Sequence, residues 1–189
     1  MATKKSLPAP TMSTEVLKAL ANPLRHQVWR EVSRLRFARA ADLADRLEVP
    51  ANTLSFHLRV LADAGLIEEA PERARDRRDR VWKPTSGQLS LGSPEDPVAD
   101  IALGNAVLAT SVAGTQDQLA RVAKWASSFV TGEDPVERGT LAETRLRLTR
   151  ERHHDLIEEL HEVIARYRDD SSDDDLSWTL TILSASEEI

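Results

Sequence analysis

Between Pro50 and Gly65 the chain sets Leu54, Leu58 and Leu61 at i, i+4 and i+7, and no other feature constrains the fold as tightly. That spacing places three leucines on one side of an α-helix, so this face must pack against a core. Pro50 suits the first turn of such a helix, and Gly65 is placed to close it in the left-handed conformation. Opposite the leucine seam stand Asn52, Ser55, Phe56 and Arg59, with Thr53 at the edge and His57 at the flank. So short a helix cannot shelter its own leucines. It needs neighbours.

The flanking sequence supplies them. Ser13 to Leu20 is amphipathic, with Val16, Leu17 and Leu20 on one side. Asn22-Pro23 reads as an N-cap followed by a first-turn proline. The helix it opens, to about Arg34, sets Leu24, Val28 and Val32 four residues apart. Arg39 to Leu47 gives a further short helix with Ala40, Leu43, Ala44 and Leu47 inward. After Gly65, Leu66–Ala70 and Arg80–Lys83 are extended candidates, and the polar Pro71–Asp79 between them is suited to a hairpin tip.

Short helices followed by a two-stranded hairpin describe a winged helix-turn-helix. Leu17-Lys-Ala-Leu-Ala-Asn-Pro-Leu-Arg25 resembles the opening of arsenic-repressor-like (ArsR-type) regulators. Ala41-Asp-Leu-Ala-Asp-Arg-Leu-Glu-Val-Pro-Ala-Asn-Thr-Leu-Ser-Phe-His-Leu-Arg-Val-Leu-Ala-Asp-Ala-Gly-Leu-Ile67 resembles their helix-turn-helix, with Ser55, His57-Leu58, Leu61 and Ala64-Gly65-Leu66 on the recognition-helix pattern. The resemblance covers about residues 14–85 and implies double-stranded DNA as partner, a homodimer on a palindromic operator, and repression.

The residues agree with that implication on their own chemistry. A major groove admits one helix whose outer face is polar. Asn52 can read adenine, Arg59 guanine, Thr53 and Ser55 a base or phosphate, and Phe56 a thymine methyl. His57 has two open roles, a phosphate contact or a hydrogen bond to a neighbouring helix. Arg73, Arg75, Arg77, Arg78 and Arg80 form a wing able to reach phosphates or the minor groove. A winged helix turned to protein contacts instead of DNA would leave the same residues merely solvated.

Charge divides along the chain. Residues 1–90 carry 16 Lys+Arg against 11 Asp+Glu, whereas residues 91–189 carry 9 against 20. The first part can therefore approach phosphate although the whole chain has a net charge of −6. There is no cysteine, so the family's thiolate metal site is absent and no cofactor is expected. His154, Glu158 and His161, with His153, Asp155 and Glu162 nearby, leave a His/carboxylate metal sensor open, and Trp125 and Trp178 leave open an apolar effector pocket. No phosphate loop or nucleophile elbow points to an enzyme.

The expected organisation is a disordered arm at 1–12, a winged helix-turn-helix at 13–85, a linker at 86–96 and a helical, α+β dimerisation region at 97–189. The fold class is mainly α with small β parts. In the C-terminal region one long helix, or two consecutive ones, from about Pro97 to Val130 drives dimerisation, its small residues permitting close approach. Leu141–Leu148 and Leu176–Leu183 alternate as strands around a helix at 150–168, and Asp169–Asp175 reads as an acidic loop. Ile101–Gln116 is uncharged but falls short of the roughly 20 apolar residues of a membrane span. With no secretory h-region behind Lys4 and Lys5, a soluble cytoplasmic protein is expected.

Overall fold

The computed structural model describes residues 10–76, 78–85, 89–169, 172 and 176–188. Arg77, most of the expected arm, residues 86–88 of the expected linker and nearly all of the acidic loop lie outside the described residues. These residues are mainly helical with one small antiparallel sheet among them.

Four helices open the fold: α1 (Thr14–Leu20), α2 (Pro23–Leu35), α3 (Ala40–Leu47) and α4 (Ala51–Asp63). Their ends follow the expected cap chemistry. Ser13 Oγ accepts the Val16 N–H at 3.3 Å, and Asn22 Oδ1 accepts the Arg25 N–H at 3.0 Å. Arg25 also donates to the Ala19 and Lys18 carbonyls, both at 2.8 Å, so a cation closes the C-terminal end of α1. Glu48 turns the chain from α3 toward α4 with φ 54° and ψ 38°, a left-handed position more often held by glycine. Gly65 takes φ +73° after α4, as its position implies.

The sheet pairs β1 (Ile67–Glu69) with β2 (Trp82–Pro84), Glu68 facing Lys83. Ala70 N–H donates to Val81 O at 2.8 Å, extending the hairpin toward its tip. On its other side β2 meets the segment between α2 and α3, where Ala38 and Trp82 exchange two backbone hydrogen bonds of 2.9 Å. The core lies among these elements. Leu17, Leu20, Val28, Val32, Leu43, Leu54, Leu58, Leu61, Ile67 and Trp82 are buried in one cluster. Here α4 packs against α2 and α3 with its leucine seam inward.

The described residues form two compact units, one within 10–115 and 177–188, the other within 116–176. In the first, residues of the expected arm and linker are tied down. Met12 N–H donates to Ser90 O at 2.8 Å and Ser90 N–H to Pro10 O at 3.0 Å, making a parallel bridge. Leu91 and Val98 then pack on the winged-helix cluster, followed by Leu103 and Val107 of α5 (Ile101–Val130). The segment after residue 88 is thus a strap on the core. Two of the small residues of α5 are used inside the chain: Gly104 lies against Val98, and Gly114 admits the Arg30 guanidinium of α2 against the helix backbone.

The second unit holds the end of α5 and α6 (Arg150–Asp169), whose start is capped by Thr149 Oγ1 accepting the Arg152 N–H at 3.2 Å. The two expected C-terminal strands are corrected here. Neither Leu141–Leu148 nor Leu176–Leu183 forms a ladder among the described residues. Alternation decides which side chains share a face, but a strand is made by a regular backbone ladder, which alternation does not encode. Leu141, Leu146, Leu176, Trp178 and Leu180 all stand exposed.

Candidate nucleic-acid interface

α4 has two chemically distinct sides. With Leu54, Leu58 and Leu61 fully buried, Asn52, Thr53, Phe56 and Arg59 are exposed and Ser55 and His57 are half-buried. Asn52 Oδ1 accepts the Thr53 N–H at 2.9 Å, which orients the amide beside the start of the helix. Ser55 Oγ donates to Ala51 O at 2.8 Å, leaving its lone pairs to accept. Phe56 meets His57 edge-on, ring centroids 5.5 Å apart, and presents a 58% exposed ring.

Of the two roles expected for His57, the hydrogen bond to a neighbouring helix is not made by Nδ1. That nitrogen is buried and has no partner. Burial, together with the Arg25 charge, holds the imidazole below its ordinary value of 6.5. His26, only 5% exposed on α2, is also held below 6.5, by burial and then by Arg30. In both rings burial favours the neutral form.

A pH dependence of stability follows. A histidine whose folded value is lowered binds its proton more readily in the unfolded chain, so acidification through 6.5 favours unfolding. The carboxylates held low, such as Glu15 and Glu72, begin to contribute only near their ordinary value of 4.5. Between these limits the urea midpoint should fall as pH falls, and His26→Gln should flatten the slope. A midpoint constant from pH 6.5 to 4.5 in the wild-type protein would refute this.

The wing begins with a tight turn at Pro71–Arg73 and returns through Asp76 and Asp79. Asp76 Oδ1 accepts the N–H groups of Arg78 (2.7 Å) and Asp79 (3.1 Å). The five expected wing arginines separate. Arg73 lies over the Phe37 ring at 4.5 Å, and Arg80 pairs with Glu69 at 3.5 Å. Arg75 and Arg78 are exposed, and Arg77 lies outside the described residues. Periodicity did not point to Phe37, Arg39 or Asp79: the wing's Arg73 lies over Phe37, and its Asp79 pairs with Arg39. Arg39 and Asp79 are 40 residues apart.

A family profile described as a helix-turn-helix domain matches residues 20–70. That span runs from the end of α1 through α4 to the start of the wing. Residues 20–70 form a helix-turn-helix domain. No curated protein matches. A solved structure of Lactococcus lactis ZitR, a C30AH42A mutant in apo form, is 14% identical over 80% of this chain and 83% of its own. Its TM-score is 0.30, too low to bear on fold or function.

The remaining candidates belong to other segments of the chain. His154 and His161 are exposed on α6, and among the described residues no three His, Asp or Glu side chains gather closely enough to hold a metal ion. Trp125 Nε1 donates to Val136 O at 3.2 Å and its ring packs on Phe129, while Trp178 is exposed. Neither is among the residues lining a cavity of about 330 Å³ formed by Leu146, Leu148, Arg152, Asp155, Leu156 and Glu159. No helix among the described residues is long and apolar enough to cross a membrane.

Proposed function

We propose that this chain is an ArsR-like, sequence-specific regulator of transcription that binds double-stranded DNA as a homodimer and acts as a repressor. It works in the cytoplasm, by binding and not by catalysis, on a palindromic operator. One observation carries this reading: α4 of a helix-turn-helix domain buries its leucines completely and leaves Asn52, Thr53, Phe56 and Arg59 exposed on the other side. A helix with that outer face suits a major groove, where bidentate Asn and Arg contacts discriminate bases. The exposed Arg75 and Arg78 on the wing suit flanking phosphates.

The homodimer is supported by α5. Leu103, Gly104 and Val107 turn toward the chain's own core, while Ile101, Leu108 and Val112 are 72%, 51% and 47% exposed. At 3.6 residues per turn these three fall within about 40° of one another around the helix axis. That apolar stripe is suited to a second copy.

Selection of bound fragments from sheared genomic DNA by the purified protein tests the reading and returns the operator. With that duplex, Asn52→Ala and Arg59→Ala should each cost about 1–3 kcal/mol of specific binding without altering the fold. Wild-type affinity in both variants would remove α4 from the base-reading role. Failure of the wild-type protein to show salt-dependent binding to any duplex would favour a protein-interaction module.

A further inference from the structure

The segment between α2 and α3 grips the wing at three places. Ala38 pairs with Trp82 of β2 through the main chain, Phe37 lies beneath the Arg73 guanidinium, and Arg39 reaches the tip. At the tip, Arg39 Nε lies 3.0 Å from both Asp79 carboxylate oxygens, and its Nη2 donates to Arg73 O at 3.0 Å. Asp79 Oδ2 also accepts the Arg75 N–H at 2.9 Å. The two side chains are well covered, 25% and 17% exposed. Hydrogen bonds from Arg75 and Arg39 hold the Asp79 carboxyl below the usual carboxylate range. One carboxylate thus joins the front of the helix-turn-helix to the peptide group of an exposed wing arginine.

We infer that Arg39 and Asp79 are positioning residues for DNA binding, a clamp that fixes the wing so that Arg75 and Arg78 are already placed for phosphate. The inference rests on the DNA-binding function proposed above. Without the clamp, the tip would have to be ordered when DNA binds, and each immobilised arginine would weaken association. Asp79 itself gains nothing from a polyanion. An acidic side chain on a wing facing phosphate should, by charge alone, oppose binding. Its presence is explained by what it holds.

That opposition of signs supplies the test. Asp79→Asn removes a negative charge and Arg39→Gln removes a positive one, so charge counting moves their DNA affinities in opposite directions. The clamp moves both downward. With the full-length protein and a labelled random-sequence duplex, each variant should bind about tenfold more weakly than wild type. The slope of log affinity against log salt should become shallower by about 0.9 for each phosphate that the wing no longer neutralises. In the absence of DNA, trypsin should cut after Arg75 and Arg78 faster in both variants, while the helical circular dichroism and its melting remain close to wild type.

Arg39→Lys keeps the charge without the forked guanidinium and should fall between wild type and Arg39→Gln. Asp79→Asn binding as tightly as wild type, or more tightly, overturns the clamp while leaving DNA binding intact. So does weaker binding with an unchanged salt slope and unchanged tryptic cleavage of the wing. If either variant melts below the binding temperature, the comparison passes to Arg39→Lys, where wild-type affinity and wild-type cleavage overturn the clamp. Wild-type protein that fails to bind the duplex at any salt concentration refutes the DNA reading itself.

Discussion

A Leu58→Ala protein is expected to be about 2–5 kcal/mol less stable than wild type, the usual cost of emptying a buried leucine site. Leu58 is fully buried at the middle of the α4 seam, in the cluster that includes Val28 and Val32 of α2 and Leu43 of α3. Removing the isopropyl group beyond Cβ would leave a void lined by several elements that cannot all close upon it. Small domains are held by only about 5–15 kcal/mol, so this change takes a large part of the total. Phe56, two positions earlier, is the larger side chain and yet stands exposed. Phe56→Ala should shift stability by no more than about 0.5 kcal/mol. Urea unfolding followed by circular dichroism checks the pair. Equal losses in the two variants would mean that α4 does not bury the leucine side.

The contrast between those positions is legible in the amino-acid sequence. Leucines at 54, 58 and 61 specify an inward face because the α-helical period leaves no other way to bury them together. Caps are legible for a similar reason: Asn22-Pro23 and Gly65 carry their backbone preferences locally. The C-terminal alternation is misleading because period two is a property of one segment and a ladder is a property of two. Residues 141–148 and 176–183 satisfy the first condition, and neither is assigned to a strand ladder among the described residues.

Pairings between distant segments have no sequence signal at all. The bridge of Thr11 to Ser90, the Arg30 guanidinium on Gly114 and the Arg39–Asp79 pair join positions that share no period. Polar, proline-rich stretches read as an arm and a linker because their composition is that of loops. Leu91 and Val98 nonetheless supply enough apolar surface to seat the strap. The candidate site shows the same division. The outer face of α4 follows from periodicity, whereas which wing arginine side chains meet a ring or a carboxylate requires the fold.

A protein carrying Leu108→Glu and Val112→Glu together is expected to be a folded monomer that binds its operator about 10²–10⁴-fold more weakly than wild type. Both residues are about half exposed on the outer side of α5, so the substitutions remove little of the chain's own core. In a second copy packed on this stripe, four carboxylates would be driven into an apolar contact, which they strongly oppose. Recognition helices of a dimer engage half-sites about 34–36 Å apart, one DNA turn. When two such helices are linked, the second binds at a high effective concentration, and separating them forfeits that gain. Substitution is a cleaner test than truncation here. Ending the chain at Ser90 would strip Leu91, Val98, Leu103 and Val107 from the winged-helix cluster and confuse unfolding with monomerisation. Sedimentation of both proteins and titration against the selected duplex decide the matter. If the double variant still sediments as a dimer and binds at full strength, the copies meet through another surface. If wild-type protein is itself a monomer at concentrations that saturate the operator, the proposed dimer is wrong.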